Sequence, residues 1–97
     1  MLAVDTNVVV RLLTNDHPAQ AARAAAVFRS ARVFVAKSVL LETAWVLRYS
    51  YGLPAAAIAR SFVAMLGLPN VTVEDPTSVH QAIRMMDFAI DFADALH

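Results

Sequence analysis

The sequence contains no cysteine. Disulfides and thiolate metal sites are therefore excluded, and the chemistry suits a reducing, cytoplasmic setting. Only two glycines and four prolines occur among 97 residues. This leaves few loops and no glycine-rich phosphate cradle, so Walker and dinucleotide-binding fingerprints are absent. Neither sign of charge is in excess, with eight basic against eight acidic side chains. No overall basic surface advertises nucleic acid, although a local cluster can do what net charge does not. No apolar run reaches about eighteen residues, so no membrane span is expected. No lysine or arginine precedes the first apolar run and Asp5 interrupts it, which argues against a signal peptide. No serine stands in a nucleophile-elbow context. His17 and His80 read as surface or helix-start residues, and no H-E-x-x-H pairing suggests zinc.

What is present is a chain with 59% hydrophobic residues, too apolar for disorder and sufficient for one core. A single domain over 1–97 is expected. Its organising stretch is Met1 to Leu13. Met1-Leu-Ala-Val4 is a short apolar run that predicts a buried strand. Asp5-Thr-Asn7 follows at once, and Val8 to Leu13 resumes the apolar pattern. A carboxylate wedged into such a run is costly to leave without a partner. Asp5 reads either as a residue at a strand's carboxyl end, where an α/β sheet opens its crevice, or as the N-cap of the following helix. The two roles are compatible.

Thr14 to Pro18 is a turn cluster, with Asp16 a candidate cap and Pro18 suited to a first helical turn. Ala19 to Ser30 predicts a helix with a thin apolar face of Ala22, Ala25, Ala26 and Phe28. Arg32 to Ala36 predicts a second strand. Ser38 is the candidate N-cap of a helix from Val39 to about Tyr51. That helix is apolar most of the way round, through Leu40, Leu41, Ala44, Trp45, Val46 and Leu47, and so is expected to be buried. The turn at Tyr51-Gly-Leu-Pro54 joins it to a helix over 55–66, with Ile58, Phe62, Met65 and Leu66 on one side, as in an αα-hairpin. Val71 to Val73 predicts a third strand, Val79 to Phe88 another helix, and Asp91 the start of a last one. Strands separated by helices with no hairpin signal imply an α/β fold with a mostly parallel sheet flanked by helices.

The acidic residues carry the functional signal: Asp5, Glu42, Asp87, Asp91 and Asp94. Glu74 and Asp75 precede a proline and read as solvated turn residues. Glu42 sits in a helix that otherwise seeks burial. It either reaches solvent or a cation such as Lys37 or Arg48, or faces a shared acidic pocket. Such a pocket needs a cation, because clustered carboxylates otherwise raise one another's pKa. All-oxygen ligation favours Mg²⁺ or Mn²⁺. Asp91 and Asp94 are three apart and share a helical face. They suit a capping arrangement, or a split in which Asp91 caps and Asp94 points at the metal. His97, three residues on, is placed to share that cleft.

Three segments together resemble a known family. Asp5-Thr-Asn-Val-Val-Val-Arg-Leu-Leu13 resembles the opening motif of PIN domains. Ser38-Val-Leu-Leu-Glu-Thr-Ala-Trp-Val-Leu47 resembles the second motif, with its central glutamate, and Asp91-Phe-Ala-Asp-Ala-Leu-His97 the third. The nearest likeness is to the toxins of VapBC-type toxin–antitoxin systems. The resemblance implies a PIN-like α/β fold and a Mg²⁺- or Mn²⁺-dependent endoribonuclease. Asp5, Glu42 and Asp94 would be catalytic, and the same three with Asp91 would be the metal ligands. Thr6 or Asn7 would arrange the first carboxylate or a bound water. Cleavage would leave a 5′-phosphate and a 3′-hydroxyl. It also implies a homodimer and inhibition by a small VapB-like antitoxin that plugs the acidic groove. Arg11, Lys37 and Arg48 are candidates for steering the RNA backbone. Family members continue with a further strand and commonly a fourth acidic residue, so the fold is expected to be incomplete at the C-terminus. The alternative is a catalytically inactive PIN module acting in dimerisation or antitoxin binding. A phosphohydrolase of the haloacid-dehalogenase type would need a second aspartate where Asn7 stands.

Overall fold

The computed structural model describes residues 1–86. Its elements are β1 (Leu2–Ala3), α1 (Thr6–Leu13), α2 (Pro18–Ser30), β2 (Val33–Val35), α3 (Lys37–Trp45), a π-helical segment (Val46–Ser50), α4 (Ala55–Leu66), β3 (Val71–Val73) and α5 (Pro76–Met86). The three strands form one parallel sheet in the order β1-β2-β3. Leu2 is opposite Val33, and Val33, Phe34 and Val35 are opposite Val71, Thr72 and Val73. Each strand-to-strand crossover is carried by a pair of helices, which is how parallel strands are joined and covered. The α/β class and all three expected strands are present, the first and second slightly shorter than the apolar runs suggest, and β1 is exposed at Leu2 and Ala3 where a buried strand was expected.

The central strand is the most buried. Val33 and Val35 are inaccessible to solvent, as are Val9, Leu40, Leu47, Phe62 and Val79, which pack with them in one core. Each helix contributes a stripe at helical spacing. On α4 the stripe is Ile58, Ala59, Phe62 and Met65, close to the face expected from sequence. On α2 the face is rotated from the expected one. Ala24 and Phe28 are buried with Ala21 and Ala25 partly so, whereas Ala22 and Ala26 are exposed. The single large side chain, Phe28, sets the buried face, and its neighbours at one and two turns' spacing follow it inward.

Three local expectations are corrected. Asp16 does not cap α2. His17 occupies the N-cap position without a side-chain bond, and Pro18 opens the helix as expected. Asp16 instead accepts hydrogen bonds from Tyr51 Oη (2.7 Å) and Thr14 Oγ1 (3.0 Å). Ser38 does not cap α3 either, because that helix begins at Lys37 with Ala36 before it. Its first free amide, Lys37 N–H, donates to Glu74 Oε1 at 2.8 Å. Glu74, read as a solvated turn residue, is thus a cap delivered from the end of the adjacent strand. Finally, the helix expected to run on to Tyr51 changes character at Val46 and continues as π-helix to Ser50. Gly52, at φ +68°, then reverses the chain, a conformation that glycine adopts without steric cost.

Candidate active site

In a parallel sheet every strand's carboxyl end lies at one edge. Here that edge carries Asp5 after β1, Lys37 after β2, and Glu74 and Asp75 after β3. Asp5 is the N-cap of α1. Its backbone is extended (φ −94°, ψ 174°) and its Oδ1 accepts the Val8 N–H at 3.0 Å. Both readings of Asp5 therefore hold at the level of position: it stands at the strand end and it caps the helix. The cap uses one oxygen. Among the described residues nothing bonds to the other, and the residue is exposed.

Glu42 lies about one and a half turns into α3, which packs against α1. The buried side of α3 is Leu40, Thr43 and Ala44. Thr43 is wholly inaccessible and satisfies its hydroxyl on the Val39 carbonyl at 2.7 Å. Glu42 is on the opposite, exposed side. Of the alternatives for Glu42, a salt bridge to Lys37 or Arg48 is not among the ion pairs of the described residues. Lys37 Nζ instead pairs with Asp75 at 3.3 Å. The helix is also less buried than its composition suggested, since Trp45 is 57% exposed.

The remaining predicted carboxylates, Asp87, Asp91 and Asp94, and His97 with them, lie outside the described residues. Among the described residues no group of three His, Asp or Glu side chains is placed to hold a metal ion. Among the described residues Asp5 and Glu42, and Glu74 beyond its bond to the Lys37 N–H, supply hard oxygen donors without a cationic partner. That donor chemistry fits Mg²⁺ or Mn²⁺ but needs further ligands to complete a site.

Of the three cations expected to steer a substrate, two are engaged. Arg11 Nη1 donates to Tyr51 Oη at 3.5 Å and lies 3.8 Å from Asp16 Oδ1, tying α1 to the end of the π segment. Lys37 is held by Asp75. Arg48 is exposed. The hydrogen bond from Tyr51, with help from Thr14 and His17, holds the Asp16 carboxyl below its ordinary pKa. Ser78 and Lys37 do the same for Asp75. Beside Asp5, a groove of about 230 Å³ runs between α1 and α2, lined by Asn7, Val8, Arg11, Gln20 and Arg23 among others.

Across almost its whole length, residues 2–97, the sequence matches the family model of the PIN domain. The chain belongs to the PIN domain family. PIN domains are generally metal-dependent nucleases acting on RNA or other nucleic acids. No curated relative matches the chain. No helix of the described residues is long and apolar enough to cross a membrane.

Three residues that join these elements were not legible in the sequence: Glu74 as the α3 cap, Asp75 as the partner of Lys37, and Tyr51 as the bridge between Arg11 and Asp16. All three act between residues 35 to 40 apart in sequence. No local pattern signals such pairings.

Proposed function

We propose that this PIN domain is a Mg²⁺- or Mn²⁺-dependent endoribonuclease, the toxin of a VapBC-type pair. The observation that supports it most is the combination of family membership with two exposed carboxylates, Asp5 and Glu42, that no described cation neutralises. Asp5, Glu42 and Asp94 are the proposed catalytic residues, and Asp91 joins them as a metal ligand. The bound cation would lower the pKa of a water and neutralise charge on the scissile phosphate. The chain's own contribution is placement. The Val8 N–H fixes the Asp5 carboxylate by one oxygen and leaves the other without a described partner. Burial of Leu40, Thr43 and Ala44 fixes the roll of α3 and so turns Glu42 toward solvent. Thr6 and Asn7, in the first turn of α1, are the proposed polar groups that orient a water. The products would carry a 5′-phosphate and a 3′-hydroxyl.

On the same reading the active form is a homodimer, and a VapB-like antitoxin inhibits it by occupying the acidic groove. The test is cleavage of a single-stranded RNA by the wild-type chain with Mg²⁺ or Mn²⁺, beside Asp5→Asn. Asparagine caps a helix as well as aspartate does, so the variant keeps the fold and loses one anionic ligand. Metal-dependent cleavage by the wild type, stopped by EDTA and abolished in the variant, is the expected result. Absence of cleavage by a folded wild-type chain that still dimerises would favour a catalytically silent binding module.

A further inference from the structure

The face of α3 that presents Glu42 continues into an aromatic pair. Trp45 follows Glu42 by three residues and Tyr49 follows Trp45 by four, spacings that keep all three on one side of a helix. Both rings are exposed, Trp45 at 57% and Tyr49 at 62%. Their centroids are 5.1 Å apart with planes inclined at 55°. The rings meet across the start of the π-helical segment. Such wide turns are rare and concentrate at functional sites. The other exposed positions of α3 and the π-helical segment are polar: Ser38, Glu42, Arg48 and Ser50.

An exposed tryptophan beside an exposed tyrosine invites an apolar or π-rich occupant, and its size limits what that is. A whole aromatic side chain buries about 150–250 Å². At the exposures above, the two offer on the order of 200–300 Å². A stable protein interface takes about 800 Å² from each partner. An aromatic pair of that area, flanked on its own helix by polar positions, is instead the size of one or two nucleobases, and base–aromatic stacking is the usual way that single strands are gripped. Only an unpaired base has a free π-face to offer.

We propose that Trp45 and Tyr49 form a stacking platform for an unpaired nucleobase of the strand whose scissile phosphate would meet the cation held by Asp5 and Glu42, with Arg48 facing the adjoining backbone. This deepens the nuclease reading and rests on it for the identity of the ligand. It makes the substrate single-stranded at a position beside the cleavage site.

Trp45 is the sole tryptophan, so its fluorescence reports the platform directly. The experiment titrates the chain with a single-stranded oligoribonucleotide in EDTA, where metal-dependent cleavage does not occur. A ribose-phosphate oligomer of equal length lacking bases serves as the control. Base stacking quenches Trp45 emission, and the abasic strand does not. Trp45→Ala and Tyr49→Ala weaken binding of a labelled oligonucleotide by roughly tenfold each, and Trp45→Phe restores most of the loss. Equal quenching by the abasic strand, or unchanged binding by Trp45→Ala, overturns the platform. So does a change in Trp45 emission with protein concentration alone, which would mark a second copy of the chain as the occupant. Loss of metal-dependent cleavage with quenching intact would remove the nuclease reading and leave the platform standing. Cleavage without quenching would do the reverse.

Discussion

Asp5 divides two tasks between its two carboxylate oxygens. One closes the first turn of α1 through the Val8 N–H, and the other is left for the proposed metal. Substitutions separate the tasks. Asp5→Ala removes the cap and is expected to cost about 1 kcal/mol of stability, read from a urea unfolding midpoint. Asp5→Asn keeps the cap, so its unfolding midpoint should match the wild type within a few tenths of a kcal/mol while its cleavage activity is lost. Glu42 has no such structural duty, being exposed and without a described partner. Glu42→Gln should leave stability within about 0.5 kcal/mol of wild type and abolish metal-dependent cleavage. Both positions were legible in the sequence because a charge inside an apolar run demands a reason. The direction in which Glu42 points was not, since it depends on which side of α3 the sheet buries.

At the scale of elements, two kinds of joint between segments rest on carboxylates. The Glu74 bond to Lys37 N–H ties the end of β3 to the start of α3, the helix that carries Glu42. Glu74→Ala leaves that amide without its cap and should cost about 1 kcal/mol, measurable as a lowered unfolding midpoint. Asp16 and Asp75 make the second kind of joint, the one to Tyr51 and Thr14, the other to Ser78 and Lys37. Their folded-state pKa values lie below the ordinary 3.8. A depressed carboxyl adds stability above its unfolded-state value and loses it as pH falls through the folded one. The acid limb of the stability curve should therefore steepen below about pH 3.8 and be shallower in Tyr51→Phe, which removes the largest cause at Asp16. Solvent exposure of both groups keeps the effect small, so the measurement is a comparison of unfolding midpoints between neutral and acid pH. Periodicity in the sequence placed the elements themselves well, because α4 and β2 bury the residues that their spacing marks. The joints escaped it, since Ala36 and His17 occupy the cap positions where Ser38 and Asp16 were expected.

The whole molecule is a parallel sheet whose core converges on a few large side chains, with Phe62, Leu40 and Leu47 wholly inaccessible. Phe62→Ala is expected to cost about 3–5 kcal/mol, a large share of the stability of a domain this size, and to show as loss of cooperative unfolding. A parallel sheet brings all its strand ends to one edge. That is how Asp5 and Glu42, 37 positions apart in sequence, come to belong to packed neighbours, α1 and α3. The alternation of strands and helices made this architecture legible before any coordinates. The exposed Trp45–Tyr49 pair was not, because a helix apolar on most sides looks buried on all of them.

In the proposed site, carboxylates far apart along the chain share one divalent ion. Mn²⁺ binding to the chain, followed by electron paramagnetic resonance without any RNA present, tests it most directly. The expected result is saturable binding that weakens at least about tenfold, or about 1.4 kcal/mol, in each of Asp5→Asn, Glu42→Gln and Asp94→Asn. Binding of Mn²⁺ by Asp5→Asn and Glu42→Gln as tightly as by the wild type would contradict it.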